Sequence, residues 1–146
     1  MTPTLMGRWQ TRLILLGTIG LAVTLIFGRL VDDYTTPLTL LGYVLVIGFV
    51  WDMFYDYMQT LRWDQDWPPV LQLGTGIIEA AFLWGLILVG DQIGWLGGTL
   101  PRIAPSLSVG LFLTHYTLVW VTTFLATQGV LRIIFPRWRF HGGKWI

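Results

Sequence analysis

The chain has 146 residues, of which 54% are hydrophobic and 12% are charged. Soluble domains carry about a quarter charged residues, so this composition indicates an integral membrane protein. A formal net charge of +1 gives no support to a nucleic-acid partner, and the lack of cysteine excludes disulfides and thiolate chemistry. Little chain is left outside the apolar segments, which excludes catalysis in a soluble domain, and we predict no enzymatic activity.

The first predicted span covers residues 13–31. It follows two arginines and has no small-x-small cleavage site, so we interpret it as a retained signal-anchor helix. Small residues recur along it at near-helical spacing, a pattern that allows helix backbones to approach closely in lipid. These residues are Gly17, Gly20, Thr24 and Gly28. The pattern indicates either packing within the chain or self-association.

The second and third predicted spans cover residues 38–58 and 69–90. The 21 positions of the second span would reach roughly 31 Å as a helix, enough to cross the hydrocarbon core. Pro68 and Pro69 cannot continue a helix, but they suit the start of the next one. The two spans are therefore predicted to be antiparallel neighbours joined by a short turn.

The fourth span is predicted over residues 107–135. Before it, residues 91–106 form a loop with three glycines and two prolines, which would suit either an interfacial helix or a re-entrant segment. Pro136 ends the span. The tail at residues 136–146 alternates basic and aromatic residues, which is typical of an anchor lying on lipid headgroups.

Four spans place both termini on one side of the membrane. Seven of the nine basic residues fall on that side, so the positive-inside rule predicts cytoplasmic termini in an inner or equivalent membrane. Tryptophan is favoured at bilayer interfaces, and five tryptophans are predicted as cytoplasmic interface anchors. They are Trp9, Trp63, Trp67, Trp138 and Trp145.

Four titratable residues lie inside or at the edge of apolar spans, where charge is costly and often functional. Asp52 and Asp56 are four residues apart and share one helix face. Glu79, the only glutamate, lies at a depth close to that of Asp52, and His115 lies further toward the other side. From the cytoplasmic surface inward, the predicted order of depth is Asp56, Asp52, Glu79 and His115. This order makes the four residues candidates for a proton or cation path. If the two deeper acids meet, one of them is expected to hold a proton.

Each of these residues also has a structural interpretation. Asp56 suits an interfacial acid paired with Arg62, Asp52 suits hydrogen bonding to a neighbouring span, and His115 suits interhelical bonding. His115 is also a candidate axial ligand for haem or a chlorophyll-type pigment, although no cofactor is required by the sequence. No Glu-x-x-His pair or phosphate-binding glycine loop occurs, so neither a metal nor a nucleotide site is predicted.

The sequence therefore predicts an all-α protein, an up-down bundle of four transmembrane helices with short loops. Two functions remain open. The first is a non-enzymatic subunit or oligomerising component of a membrane complex, either a homo-oligomer or a larger assembly in the lipid bilayer. The alternative is a proton- or cation-conducting channel or transporter that uses Asp52, Glu79 and His115; haem or pigment binding is a weaker hypothesis.

Overall fold

A computed structural model describes residues 3–93 and 107–145. In that part of the chain all regular structure is helical, and four helices are long and apolar enough to cross a membrane. The helices are α1 (Leu5–Val31), α2 (Thr35–Thr60), α3 (Pro69–Ile93), α4 (Val109–Ile134) and the short α5 (Pro136–Phe140). The all-helical bundle with four apolar helices predicted from the sequence is confirmed.

The first helix begins earlier than predicted, at Leu5 rather than at residue 13. Thr4 caps it, because its side-chain oxygen accepts a hydrogen bond from the backbone N–H of Gly7. The added turns bring Arg8 and Arg12 into the helix, so both side chains belong to the bundle. The predicted loop at 91–106 begins with the last turn of α3, and its residues 94–106 lie outside the described part.

Two tight turns define the described connections. Asp32 has a left-handed backbone (φ 56°) at the end of α1, and Asp33 Oδ1 then accepts hydrogen bonds from the N–H groups of Thr35 and Thr36. The Thr36 side chain is the largest cause of the lowered pKa of Asp33, and these N–H groups lower that pKa further. Between α2 and α3, an exposed Arg62–Asp64 ion pair at 2.9 Å lowers the pKa of Asp64.

The bundle has two unlike halves along its axis. The terminal half carries the start of α1, the α2–α3 turn and the C-terminal tail, and the opposite half carries the start of α2 and of α4. In the opposite half, α2, α3 and α4 contribute to one closely packed apolar cluster. Its buried members are Leu40, Leu83, Phe112 and Tyr116.

The small residues of α1 face the chain's own helices. Thr24 is fully buried, and a Cβ on Gly20 would come within 3.4 Å of the Leu41 side chain. A Cβ on Gly28 would meet the Tyr34 ring, whereas the surroundings of Gly17 are open. Gly20 and Thr24 thus lie against other parts of this chain, whereas Gly17 does not, and self-association through the pattern stays a prediction.

The C-terminal tail folds back onto α1 instead of lying apart from the bundle. The backbone N–H of Thr4 donates to the Gly142 carbonyl at 2.8 Å, and the Trp145 N–H donates to Gln10 Oε1 at 2.9 Å. A Cβ on Gly7 would collide with the Gly142 carbonyl, so glycine is needed where the tail crosses α1. The tail thus closes part of the terminal half.

The tryptophans predicted as interface anchors differ in their surroundings. Trp63 is 95% exposed at the α2–α3 turn, a position open to headgroups. Trp138 instead is only 4% exposed, because its ring packs against an apolar cluster and its indole N–H donates to Thr11 at 2.9 Å. Trp9 and Trp67 are half-buried; the first donates to the Phe49 carbonyl. Trp145 is half-buried against the Phe135 ring.

Candidate functional site

A cavity of about 190 Å³ runs from the terminal half into the middle of the bundle. All four long helices and the tail contribute to its walls. Three guanidinium groups and two carboxylates line it, an unusual concentration of charge for the interior of an apolar bundle. The guanidinium groups belong to Arg8, Arg12 and Arg132, and the carboxylates belong to Asp52 and Glu79.

An ionic cluster of Arg12, Asp52 and Glu79 lies toward the inner part of this cavity. Arg12 binds Asp52 through two parallel bonds, Nε to Oδ2 at 2.8 Å and Nη2 to Oδ1 at 2.9 Å. The same guanidinium reaches Glu79 at longer distances, Nη1 to Oε2 at 3.3 Å and Nη2 to Oε1 at 3.4 Å. The bond to Asp52 is therefore the stronger one, since bidentate geometry at short distance suits a guanidinium and a carboxylate.

Helix lengths bring these three side chains to one level. Arg12 lies about 10 Å along α1 from its start, and Glu79 lies about 15 Å along α3 from its start. Asp52 lies about 12 Å before the end of α2, which runs in the opposite direction. Gly48, one turn before Asp52, makes room for the Arg12 side chain, which occupies the space that a Cβ would need.

The ionic cluster is buried but can be reached from the cavity. The exposed fraction of the side chain is 18% for Arg12, 12% for Glu79 and 6% for Asp52. With both carboxylates ionised the cluster has a net charge of −1, and with one proton bound it is neutral. Uptake of one proton would therefore make the net charge of these three residues zero.

A second group of polar side chains lies closer to the terminal end. Arg8 Nη2 donates to Gln59 Oε1 at 2.6 Å, and the guanidinium lies 4.7 Å from the centre of the Trp67 ring. Gln59 in turn donates to the Gln65 carbonyl at 2.8 Å. Within the described residues, neither Arg8 nor Arg132 has a carboxylate within salt-bridge distance.

Of the four residues predicted as a proton or cation path, Asp52, Glu79 and His115 line the cavity, and Asp56 does not. Asp52 and Glu79 meet, but through Arg12 rather than directly, so the guanidinium offsets the repulsion expected between two acids. Asp56 is half-buried on α2 and does not line the cavity. Its predicted partner Arg62 is bonded to Asp64 instead.

His115 lies at the inner end of the cavity and is 2% exposed. Its Nε2 is 3.0 Å from Thr24 Oγ1, so it bonds α4 to the small-residue face of α1. This is the interhelical bond considered for His115 from the sequence. The Phe27 ring lies against the imidazole, with 5.3 Å between the ring centres.

The sequence analysis missed the arginines of the cavity. Arg8 and Arg12 precede the first apolar run, and from the sequence they indicate only which side of the membrane the termini occupy. The same holds for Arg132. A buried acid requires a compensating charge, and Arg12 lies only one residue before the predicted span, close enough for a longer helix to include it. The need of the buried acids for a compensating charge is therefore the feature of the sequence that points to Arg12.

Comparisons with protein-family models, with curated proteins and with solved structures found no match for this chain. By composition and architecture, the chain is a small multi-pass membrane protein with four candidate spans.

Proposed function

We propose that this protein is a membrane transporter that moves a small solute together with a proton through the charged cavity. The observation that carries the proposal is the ionic cluster of Arg12, Asp52 and Glu79, buried in the membrane but reachable from the cavity. Buried ion pairs contribute little net stability compared with apolar packing. A charged cluster retained at this depth therefore favours a role in transport.

Glu79 is the proposed proton-binding residue. Its contacts to Arg12, at 3.3 and 3.4 Å, are longer than those of Asp52, so less hydrogen bonding is lost when it takes a proton. Arg12 stays charged, because a guanidinium does not lose its proton in proteins. A fixed positive charge beside both carboxylates disfavours free passage of metal cations, so the proposal is restricted to protons.

The packing favours alternating access over a continuous pore. Leu40 and Phe112 are each 1% exposed in the opposite half, so the described helices fill the space beyond the cavity. Transporters commonly expose a central site to one side at a time by moving one group of helices against another. Glu79 belongs to α3, the least buried of the four long helices. In the most apolar 18-residue stretch of α3, 11% of the residues are buried, against 33% in the corresponding stretch of α1.

Two π-helical turns support this interpretation. One covers Leu16–Gly20 in the first long helix and the other covers Ala126–Val130 in the fourth. Each lies beside the cavity, since Leu16 and Gln128 both line it. Single π-helical turns inside α-helices are frequent at functional sites.

The test uses purified full-length protein in liposomes that contain a pH-sensitive dye. Without added solute, an imposed pH gradient or membrane potential should drive a proton leak through the empty carrier in the parent protein, and Glu79→Gln should abolish this leak. Asp56→Asn is the matched control, because Asp56 lies outside the cavity, and it should keep the parental rate. Equal rates for Glu79→Gln and the parent, or no movement in the parent, would contradict the proposal.

A second candidate function is that of a subunit in a homo-oligomer or larger membrane complex. The observation that favours it is the low burial of α3, which leaves more of its surface to lipid or to a neighbouring protein than α1 leaves. Native mass spectrometry after extraction in mild detergent tests it. A defined higher mass would support this function, and a monomer without a partner would contradict it.

The geometry gives no support to the hypothesis of a haem or pigment on His115. Its Nε2 is already hydrogen-bonded to Thr24 at 3.0 Å, and the Phe27 ring lies against the imidazole. An absorption spectrum of the purified protein at visible wavelengths tests the hypothesis directly.

A further inference from the structure

We propose that the solute taken into the cavity is a small organic carboxylate, bound by the guanidinium groups of Arg8 and Arg132. The inference depends on the proposed function for the transport of this solute, whereas its binding is measured independently. Three features of the cavity support this ligand: its charge balance, its buried atoms without a partner in the described residues, and its size.

The charges that line the cavity are not balanced. Both carboxylates of the lining, Asp52 and Glu79, are already bound to Arg12. Arg8 has a neutral hydrogen-bond partner, Gln59, and within the described residues Arg132 has no carboxylate at salt-bridge distance. An anion in the cavity would supply the missing negative charge.

Buried hydrogen-bonding atoms point to the same ligand. The Nε atoms of Arg8 and Arg132 are buried, and neither has a hydrogen-bond partner in the described structure. A buried donor without a partner is costly, and native proteins seldom keep one without a ligand, water or ion. Arg8 is also held in position from two sides, by its bond to Gln59 and by the face of Trp67. A fixed guanidinium with a free N–H edge suits a carboxylate.

The size and walls of the cavity indicate the rest of the solute. An engineered cavity of roughly 150 Å³ accommodates benzene, so about 190 Å³ suits a molecule slightly larger than one ring. Trp67, Trp120 and Trp138 line the cavity and would contact an apolar body. Gln128 Oε1 is buried and has no hydrogen-bond partner among the described residues, while the same amide donates to Gln72 Oε1 at 2.9 Å. This oxygen would accept a hydrogen bond from a hydroxyl group of the solute.

The test is equilibrium dialysis of the detergent-solubilised full-length protein with radiolabelled 4-hydroxybenzoate. We expect saturable binding, little binding of the uncharged 4-hydroxybenzamide, and weaker binding of benzoate, which lacks the hydroxyl donor. Arg8→Gln and Arg132→Gln should each weaken binding at least about tenfold, since each removes a charged hydrogen-bond donor. Arg137→Gln is the control, because Arg137 is exposed and does not line the cavity.

A carboxylate could also come from the membrane as a fatty acid, so dodecanoate is a second labelled probe. Binding of dodecanoate alone, with the same loss in both arginine variants, would assign the site to a membrane-derived carboxylate. Equal affinity for hydroxybenzoate and hydroxybenzamide, unchanged affinity in both variants, or no binding of either carboxylate would overturn the inference. If a variant fails to fold, the comparison of carboxylate and amide in the parent protein still decides.

The two proposals fail in different measurements. Carboxylate binding without any proton movement would remove the transport function and keep the binding site. Proton movement that depends on Glu79, without carboxylate binding, would remove this inference and keep the transport function.

Discussion

The terminal and opposite halves of the bundle are built from similarly apolar helices but have very different interiors. In the opposite half, Leu40, Leu83 and Phe112 pack so closely that each is at most 3% exposed. In the terminal half, the same four helices enclose a cavity with three arginines and two acids. Apolar side chains gain little by leaving lipid for a protein interior, so packing and polar contacts must distinguish the halves.

The two halves therefore differ in what their interiors contribute to the protein. In the opposite half, α2, α3 and α4 pack against one another in an apolar cluster, whereas the terminal half carries the residues proposed to bind a proton and a solute. Variants in the opposite half should therefore lower stability without changing solute binding, whereas variants in the terminal half can change both, and the expected effects are given from the largest to the smallest.

The largest expected effect is that of Arg12→Ala in the terminal half. It leaves the buried carboxylates of Asp52 and Glu79 without their counter-charge, which should lower the free energy of unfolding by about 3–5 kcal/mol. Denaturant unfolding in detergent measures it. The triple variant Arg12→Ala, Asp52→Asn, Glu79→Gln removes all three charges and should recover much of the loss. A triple variant as unstable as the single one would show that the charges do not matter for stability.

Phe112→Ala tests the opposite half. Its ring is 1% exposed, and its removal should cost about 2 kcal/mol, below the usual value for soluble proteins because the ring returns to lipid rather than to water. Carboxylate binding should remain unchanged. Leu113→Ala is the control, since Leu113 is 48% exposed and should have almost no effect. Loss of binding in folded Phe112→Ala protein would contradict the separation of the halves.

Gly7→Ala tests whether the tail closes the terminal half. The added methyl group collides with the Gly142 carbonyl, and crowding of this kind costs about 1–2 kcal/mol. Tryptic cleavage after Lys144 should become faster as the tail separates from α1. Gly17→Ala, on the same helix in open space, should leave the cleavage rate unchanged. Equal rates in both variants would contradict the contact between Gly7 and the tail.

The smallest expected effect concerns the bond between Thr24 and His115, where the two halves meet. Thr24→Val keeps the side-chain shape and removes the hydroxyl, so it should cost about 0.6 kcal/mol, the average for interhelical hydrogen bonds in membranes. Thr114→Val is the control, because the exposed Thr114 hydroxyl bonds only within its own helix. Equal losses in both variants would show that the interhelical bond contributes nothing.

Much of the fold could be predicted from the sequence. Four long apolar runs separated by charged or proline-containing turns allow few arrangements in a bilayer, where every backbone polar group needs a partner within the protein. Helix ends were less predictable. Residues 5–12 precede the predicted first span, and only their contacts with α2 and the tail show why they belong to the same helix.

The candidate site could be predicted only in part. Asp52 and Glu79 stood out because acids are rare in apolar spans, and their similar depth followed from the helical rise. Their partner Arg12 did not stand out, since arginine near the end of a span usually marks the cytoplasmic side. Trp138 was assigned to the interface for a similar reason, because buried and interfacial tryptophans have the same local sequence signals.

The amino-acid sequence alone was sufficient to specify the four apolar helices and the presence of costly acids within them. Hydrophobicity and helical periodicity are properties of single segments, and they do not depend on which helices become neighbours. The partner of those acids, the cavity and the positions of the Arg8 and Arg132 guanidinium groups in its wall arise only in the folded bundle. In the ionic cluster, for example, Arg12 lies 40 residues before Asp52 and 67 residues before Glu79 in the sequence. The distances between such side chains are set by helix packing.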